Sequence, residues 1–332
     1  MSEETILLTG ATGFVGFRIL EKLLERGSHL RLAVRSESKA SALKQALETS
    51  KHTAKIDHVT VPDMTKEGAF DEAVKGVTYV VHVASPLPAP SDDLEASIIK
   101  PAVAVTTSLL NTLLQSSERT VKKVVITSSI AAVIPEVPKV WDADEIVPDP
   151  TGPWTVEFPT YVDSKKLALS ATRRIIQEHN PYFQIISVMP SFIIGPHNFA
   201  QSRKDYESSS NLAALAPLLG MELKDGRPNC ACHVDDVATV HVAALDPSVT
   251  GHRNFGVNYE GLRGVDWNTA IDIVKEKLPD AVGPNGYPLG GHVALIPTAF
   301  DASKTERELG IKFKDFETMV VDVAKAYLEV KA

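Results

Sequence analysis

A tyrosine and a lysine four residues apart carry the clearest chemical signal in this chain: Tyr161 and Lys165, in the run Tyr161-Val162-Asp163-Ser164-Lys165. On a helix, positions i and i+4 share a face, so the phenol and the ammonium can act as a pair. A tyrosine ordinarily titrates near pH ~10, and a neighbouring cation favours its ionised form, which brings proton transfer within reach of neutrality. The spacing by itself is common on helix surfaces. It gains meaning from Ser128 and Ser129, which close the strand-like run Val124-Val125-Ile126-Thr127 upstream. A hydroxyl at the end of that strand can bind a substrate oxygen. Ser129 is assigned that role, and Ser128 is read as ending the strand.

A second pattern supplies a cofactor site. Thr9-Gly10-Ala11-Thr12-Gly13-Phe14-Val15-Gly16 follows the apolar run Thr5-Ile6-Leu7-Leu8 and precedes a helical pattern from Phe17 to Arg26. Strand, glycine-rich turn and helix in that order make a dinucleotide site: Gly10 turns the chain, Gly13 admits a pyrophosphate, and Gly16 lets the helix pack on the sheet. Thr12, Phe14 and Val15 belong to the same cofactor-binding turn. The spacing is G-x-x-G-x-x-G and not the commoner G-x-G-x-x-G. About 20 residues farther on, Arg35 ends the second apolar run, followed by Ser36 and Lys39. An acid at that position would bind the ribose 2′-hydroxyl of NAD, whereas an arginine accommodates the 2′-phosphate of NADP. NADP(H) is therefore the expected cofactor. Asp63 and Met64, after the third run, either meet the adenine edge or merely turn the chain into a helix.

The elements that must position these groups alternate. Strands are expected at Thr5–Thr9, Leu30–Val34, Ile56–Val61, Val77–Val83, Lys123–Thr127 and Gln184–Met189. Helices are expected at Gly16–Arg26, Ser38–Ser50, Ala69–Val74, Leu94–Gln115 and Thr160–His179. Such alternation predicts an α/β fold, a Rossmann-type doubly wound parallel sheet. Beyond residue 190 the texture becomes shorter and more punctuated, which predicts a smaller, mostly helical C-terminal substrate region. The expected division is an NADP-binding domain over residues 1–190, revisited at about 230–260, and a substrate-binding region over 191–229 and 261–332. Val237–Leu245 reads as a helix and Asn254–Val257 as a strand of that return. Trp267–Lys277 and Phe316–Val330 read as terminal helices.

Bulk properties exclude several classes. With 332 residues, 44% of them hydrophobic, the chain can bury a substantial core. A net charge of −8 argues against nucleic acid or an anionic membrane as partner. No uninterrupted apolar run approaches the ~18 residues of a membrane span, and the acidic start Met1-Ser2-Glu3-Glu4 does not read as a signal segment. Cys230 and Cys232 are too few and too close for a disulfide framework, so a cytoplasmic location is expected. Together with His233, Asp235 and Asp236 they match no zinc spacing. The segment reads as a strand end and a helix start, with no metal expected.

The combined motifs resemble the extended short-chain dehydrogenase/reductases. Within them the chain is similar to the branch of dihydroflavonol 4-reductase, cinnamoyl-CoA reductase and fungal aldehyde/ketone reductases. The closer likeness rests on His82-Val83-Ala84-Ser85-Pro86, on Pro190-Ser191-Phe192-Ile193-Ile194-Gly195-Pro196 and on His233-Val234-Asp235-Asp236-Val237-Ala238. The resemblance implies hydride transfer from NADPH to a carbonyl carbon. Tyr161 would be the proton donor, Lys165 would hold the nicotinamide ribose and depress the Tyr161 pKa, and Ser129 would bind the carbonyl oxygen. It also implies that Ala84, Ser85 and Pro86 lie beside the cofactor, with Pro190 and Ile193 beside the nicotinamide, and that the His233 segment is structural. Where the family often has a Gly-Thr pair and an asparagine, this chain has Val105-Thr106-Thr107-Ser108 and then Asn111, which reads as a surface or capping residue more readily than as a proton relay.

Leu87, Trp154, Phe158, Phe192, Ile193 and Phe199 are candidate substrate contacts, apolar enough for an aromatic or aliphatic carbonyl compound, a polyketide-derived or flavonoid-like one included. Gln201–Asn211 is either a lid or a solvated loop. The competing readings are a nucleotide-sugar epimerase or dehydratase with bound NAD, and a non-catalytic NADP(H) sensor. A monomer or homodimer acting on a small molecule is expected.

Overall fold

The computed structural model describes residues 4–48, 55–85 and 91–330. It divides into two compact units. The first comprises Met1–Glu136, Asp144–Met189 and His241–Phe255; the second comprises Val137–Ala143, Pro190–Val240 and Gly256–Ala332. The return to the first unit thus begins at His241 and not near residue 230, and residues 137–143 leave it for the second.

The first unit is built on a seven-stranded sheet of β1 (Thr5–Thr9), β2 (His29–Val34), β3 (Ile56–Thr60), β4 (Tyr79–His82), β5 (Lys123–Thr127), β6 (Gln184–Pro190) and β7 (Arg253–Val257), in the order β7-β6-β5-β4-β1-β2-β3. The pairs from β3 through β6 are all parallel. Every residue of β1 and β4 is buried, as expected when helices cover both faces of a parallel sheet. Edge strand β3 alternates exposed and half-buried residues. Helices α1 (Phe14–Glu25), α2 (Glu37–Leu47), α3 (Lys100–Gln115) and α4 (Glu157–His179) flank the sheet. Helix α1 buries Gly16, Phe17, Ile19, Leu20, Leu23 and Leu24, the single apolar stripe that 3.6-residue periodicity demands. The sheet order reverses between β1 and β4, and at such a switch point the carboxyl ends of the strands open a crevice.

Two expected helices differ. Ala69–Val74 forms successive turns: Ala69 N–H and Asp71 N–H bond three residues back, and Gly68 and Gly76 adopt left-handed φ values of 71° and 66° on either side. Six residues between two such breaks cannot repay helix nucleation. The segment expected from Leu94 begins instead as a π-helical turn, Glu95–Ile99, before α3. Pro101, in the first turn of α3, has no N–H to continue a regular ladder backwards. Glu95–Gln115 is long and apolar enough to cross a membrane by length and composition, but 56% of its apolar window is buried inside the protein, and α3 packs against α4. It is a core helix.

The second unit combines helices, among them Ala270–Lys277 and Phe316–Glu329, with three short parallel strand pairs. Its core gathers Tyr206, Trp267, Tyr287, Val320 and Tyr327. Gln201–Asn211 is not an unstructured loop. It contains the helix Arg203–Glu207, started by a capping box of Ser202 and Asp205. Buried Asn211 accepts from Gly195 N–H at 2.9 Å and donates to Gly195 C=O at 3.0 Å, while the Tyr206 hydroxyl accepts from His197 N–H at 2.9 Å.

Two buried histidines are expected to make the fold less stable in acid. Burial, then the Lys165 charge, pushes His82 down to about 4; burial, then Lys314, pushes His233 down to about 4. In the unfolded chain each titrates near ~6.5. Below that pH the unfolded state binds protons that the folded state refuses, so stability is complete above ~6.5 and is lost as pH falls towards about 4. The expected loss is at most about 1.4 kcal/mol per pH unit for each histidine. Urea titrations from pH 7 to 4.5 measure it, and a flat profile across that window would contradict the assignment.

Candidate active site

Parallel register brings the motif residues to one edge of the first unit. Thr9 pairs with Ala33 on one side and His82 on the other, and His82 pairs with Ile126. The segments starting at Gly10, Arg35, Val83 and Ser128 therefore all leave the sheet at its carboxyl end.

The glycine turn divides into two physical roles. Gly10 adopts φ 77°, and a Cβ there would lie 2.7 Å from the Ala84 nitrogen. A Cβ on Gly16 would lie 2.0 Å from the Gly10 carbonyl oxygen. Both positions are closed by the protein itself. Gly13 is different: it is exposed, has φ −95°, and its nearest Cβ contact would be an ordinary 3.4 Å. No internal packing excludes a side chain there, and the space beside Gly13 is open to a group that approaches from outside. Gly13 caps α1 with no side-chain cap, which leaves the positive end of the helix dipole to a ligand. Thr12, Phe14 and Val15 are half-buried around it. The cradle fits a dinucleotide pyrophosphate.

Arg35 is exposed immediately beyond β2, with exposed Lys39 in the first turn of α2. The nearby acid Glu37 is already engaged: its carboxylate accepts from Thr60 Oγ1 and pairs with His58 Nε2 at 3.0 Å, and these bonds lower its pKa. Asp63 accepts from both the N–H and the hydroxyl of Thr65, which holds its carboxyl below the usual range, and the Arg35 charge adds a smaller effect. Met64 is buried in the sheet core with Leu7, Ala33 and Phe70. The pair forms a turn, and an adenine contact for it is a proposal that this turn leaves open.

Tyr161 and Lys165 lie on one face of α4. Lys165 Nζ is 5.3 Å from the centre of the Tyr161 ring and donates to Ser85 Oγ at 2.9 Å. Tyr161 is half-buried, and exposed Phe158 stacks beside it with ring centres 6.3 Å apart. The two serines after β5 diverge. Ser128 lines a cavity with Lys165, whereas Ser129 caps the turn Ile130–Val133, its Oγ accepting from Ala131 N–H at 3.2 Å. That turn packs against α4. Asn111 is exposed on α3, whereas Thr106 lines the cavity. Trp154 is half-buried and donates to Asp163 at 3.1 Å.

Pro190, Ile193, Phe192 and Phe199 belong to the second unit. Phe192 packs towards its core, 6.2 Å from Trp267. Pro86 and Leu87 lie outside the described residues. Among the described residues no group of three His, Cys, Asp or Glu is placed to hold a metal. His233 Nδ1 accepts from Asp235 N–H, while Asp236 accepts from Lys314 N–H. Cys230 and Cys232 are free and buried, and burial pushes the Cys230 thiol up to about 12.

Sequence reasoning assigned no role to Thr9, His82 or Thr106. Thr9 Oγ1 accepts from Val83 N–H at 3.1 Å and Ala84 N–H at 3.0 Å and meets His82 Nδ1 at 3.0 Å. For Thr9 and His82 the local signal was a polar residue ending each of two buried strands.

The chain resembles known proteins over nearly its whole length. Residues 6–257 match the NAD dependent epimerase/dehydratase family. The chain is 34% identical to the ketoreductase CTB6 of Cercospora beticola, covering 99% of this chain and 96% of that one. It is 32% identical to the ketoreductase azaE of Aspergillus niger, over 98% and 97%. In fold it is similar to the yeast methylglyoxal/isovaleraldehyde reductase Gre2, solved with NADPH, at a TM-score of 0.77 and 24% identity over 98% of each chain. The chain belongs to the NAD-dependent epimerase/dehydratase family, the extended short-chain dehydrogenase/reductases, and is an oxidoreductase.

Proposed function

We propose that the chain is an NADPH-dependent carbonyl reductase of the ketoreductase type. The observation that carries this reading is the pairing of Tyr161 with Lys165 beside Ser85, at the carboxyl edge that also presents the Gly13 cradle and Arg35. Ketoreductase relatives over nearly the whole chain support it. Arg35 and Lys39 would hold the 2′-phosphate, and the N-terminus of α1 the pyrophosphate. NADPH, when bound, supplies the hydride. Lys165, fixed by Ser85, would hold the ribose hydroxyls, and its ammonium lies against the Tyr161 ring. Tyr161 gives its proton to the developing alkoxide. Ser129 donates to the carbonyl oxygen, its own oxygen fixed by Ala131 N–H. Phe158, exposed beside Tyr161, offers an apolar face to an aromatic or aliphatic substituent. The second unit is assigned to substrate binding. Two free cysteines suit a reducing cytosol.

The test is NADPH oxidation by the purified protein against aromatic aldehydes, diketones, 2-keto esters and flavanonols, with NADH in parallel. Turnover with NADPH and little with NADH is expected. Stoichiometric NAD in the purified protein with activity on a nucleotide sugar would replace the reading with epimerase or dehydratase chemistry. Tight NADPH binding without turnover would indicate a sensor.

The glycines provide an independent check of the cradle. Gly16→Ala forces a clash with the Gly10 carbonyl and is expected to cost about 1–3 kcal/mol of stability. Gly13→Ala is expected to cost no more than about 1 kcal/mol as a poorer cap, yet to weaken NADPH binding at least tenfold. Thermal melts with and without NADPH separate the two, and unchanged affinity in Gly13→Ala would remove the pyrophosphate from that turn.

A further inference from the structure

A cavity of about 20 Å³ lies behind Lys165 in the first unit, with His82, Ser85, Thr106, Ser128 and Ser187 among its lining. That volume suits one water molecule, and the polar lining supplies the partners a buried water requires. His82 is 1% exposed, and its Nε2 is buried with no hydrogen-bond partner among the described residues.

The state of that nitrogen follows from Thr9. A hydroxyl has two lone pairs and one hydrogen. Both lone pairs of Thr9 Oγ1 are taken by the N–H groups of Val83 and Ala84. Its hydrogen therefore goes to His82 Nδ1, 3.0 Å away, which must be unprotonated. The neutral ring then carries its proton on Nε2. Burial and the Lys165 charge keep it neutral near pH 7. Two groups that can only donate, His82 Nε2–H and the Lys165 ammonium, thus face one small cavity. They cannot bond to each other; Lys165 has Ser85 as one acceptor, whereas Nε2–H has none among the described residues.

We propose that this cavity binds a single water that accepts from both His82 Nε2–H and Lys165 Nζ–H, which makes His82 a positioning residue for Lys165. The water fixes the ammonium from behind while Ser85 fixes it from the side, so the charge stays against Tyr161. The chemical role of Lys165 in this inference rests on the reductase reading; the water and the tautomer do not.

Two substitutions distinguish this role from simple support of the β4 end. In His82→Asn the amide oxygen can still accept from Thr9, but the side chain is too short to reach the cavity. In His82→Gln an amide N–H reaches the Nε2 position while the Thr9 acceptor is lost. The proposal expects kcat to fall about tenfold in His82→Asn with the carbonyl KM unchanged, and to stay within about threefold of wild type in His82→Gln. The reverse order would show that only the Thr9 bond matters and would overturn it. Two readouts need no activity. A high-resolution crystal structure of the wild-type protein should show a water oxygen about 2.6–3.2 Å from His82 Nε2, and nitrogen NMR of His82 should show Nε2 protonated and Nδ1 bare. A dry cavity or the opposite tautomer would overturn the proposal even in an active reductase. Both features present in a protein that reduces no carbonyl would uphold the water site while the reductase reading failed.

Discussion

Replacing Tyr161 by phenylalanine is expected to lower carbonyl-dependent NADPH oxidation by about 10²–10⁴-fold, the range that general acid catalysis typically supplies. The substitution removes one oxygen and keeps the ring. The ring is what the surroundings use: Phe158 stacks beside it and the Lys165 ammonium lies 5.3 Å from its centre. Among the described residues the hydroxyl has no hydrogen-bond partner, so its loss leaves no buried group unsatisfied and should shift stability by less than about 1 kcal/mol. NADPH affinity should remain close to wild type, because the phosphate cradle is untouched. Single-turnover rates, a thermal melt and NADPH fluorescence titration check the three parts. Retained turnover would remove Tyr161 from the chemistry; lost turnover with lost folding would not test it, and Lys165→Met then provides the second route, because it removes the charge that favours the phenolate.

The second large effect is expected at Arg35. Replacement by aspartate should lower kcat/KM for NADPH by at least 10²-fold and raise that for NADH. A hydrogen bond to a charged group is worth about 1.5–3 kcal/mol, roughly ten- to 100-fold. A carboxylate in its place adds repulsion of the 2′-phosphate and an acceptor for the 2′-hydroxyl of NADH. Glu37 cannot already fill that second role while Thr60 and His58 occupy its carboxylate. Arg35 is exposed, so the variant should fold normally. The ratio of the two coenzymes' kcat/KM is the decisive number, and an unchanged ratio would place the phosphate elsewhere.

Legibility in the sequence followed locality. Strand β1 and strand β5 have the bounds that their apolar runs imply, and the Tyr161–Lys165 pair needed only helical periodicity. Met64 illustrates the limit. One apolar residue after a strand can face a ligand or the core, and its packing with Leu7 and Phe70 depends on residues far away in the chain. Ala69–Val74 shows another limit, because six residues with helical composition cannot outweigh the breaks at Gly68 and Gly76.

The sequence by itself determined the alternation of strands and helices, the glycine turn, the arginine after the second strand and the tyrosine–lysine face. Each is written within a few consecutive residues, where steric and periodic rules act directly. Only the tertiary structure decided what surrounds Lys165. Thr9 and His82 are 73 residues apart, and Lys165 lies 80 residues from Ser85. Their meeting depends on the parallel register of β1 and β4 and on how α4 packs beside the Ile130–Val133 turn. Register also separated Ser128 from Ser129, because successive residues leaving a strand point to opposite sides.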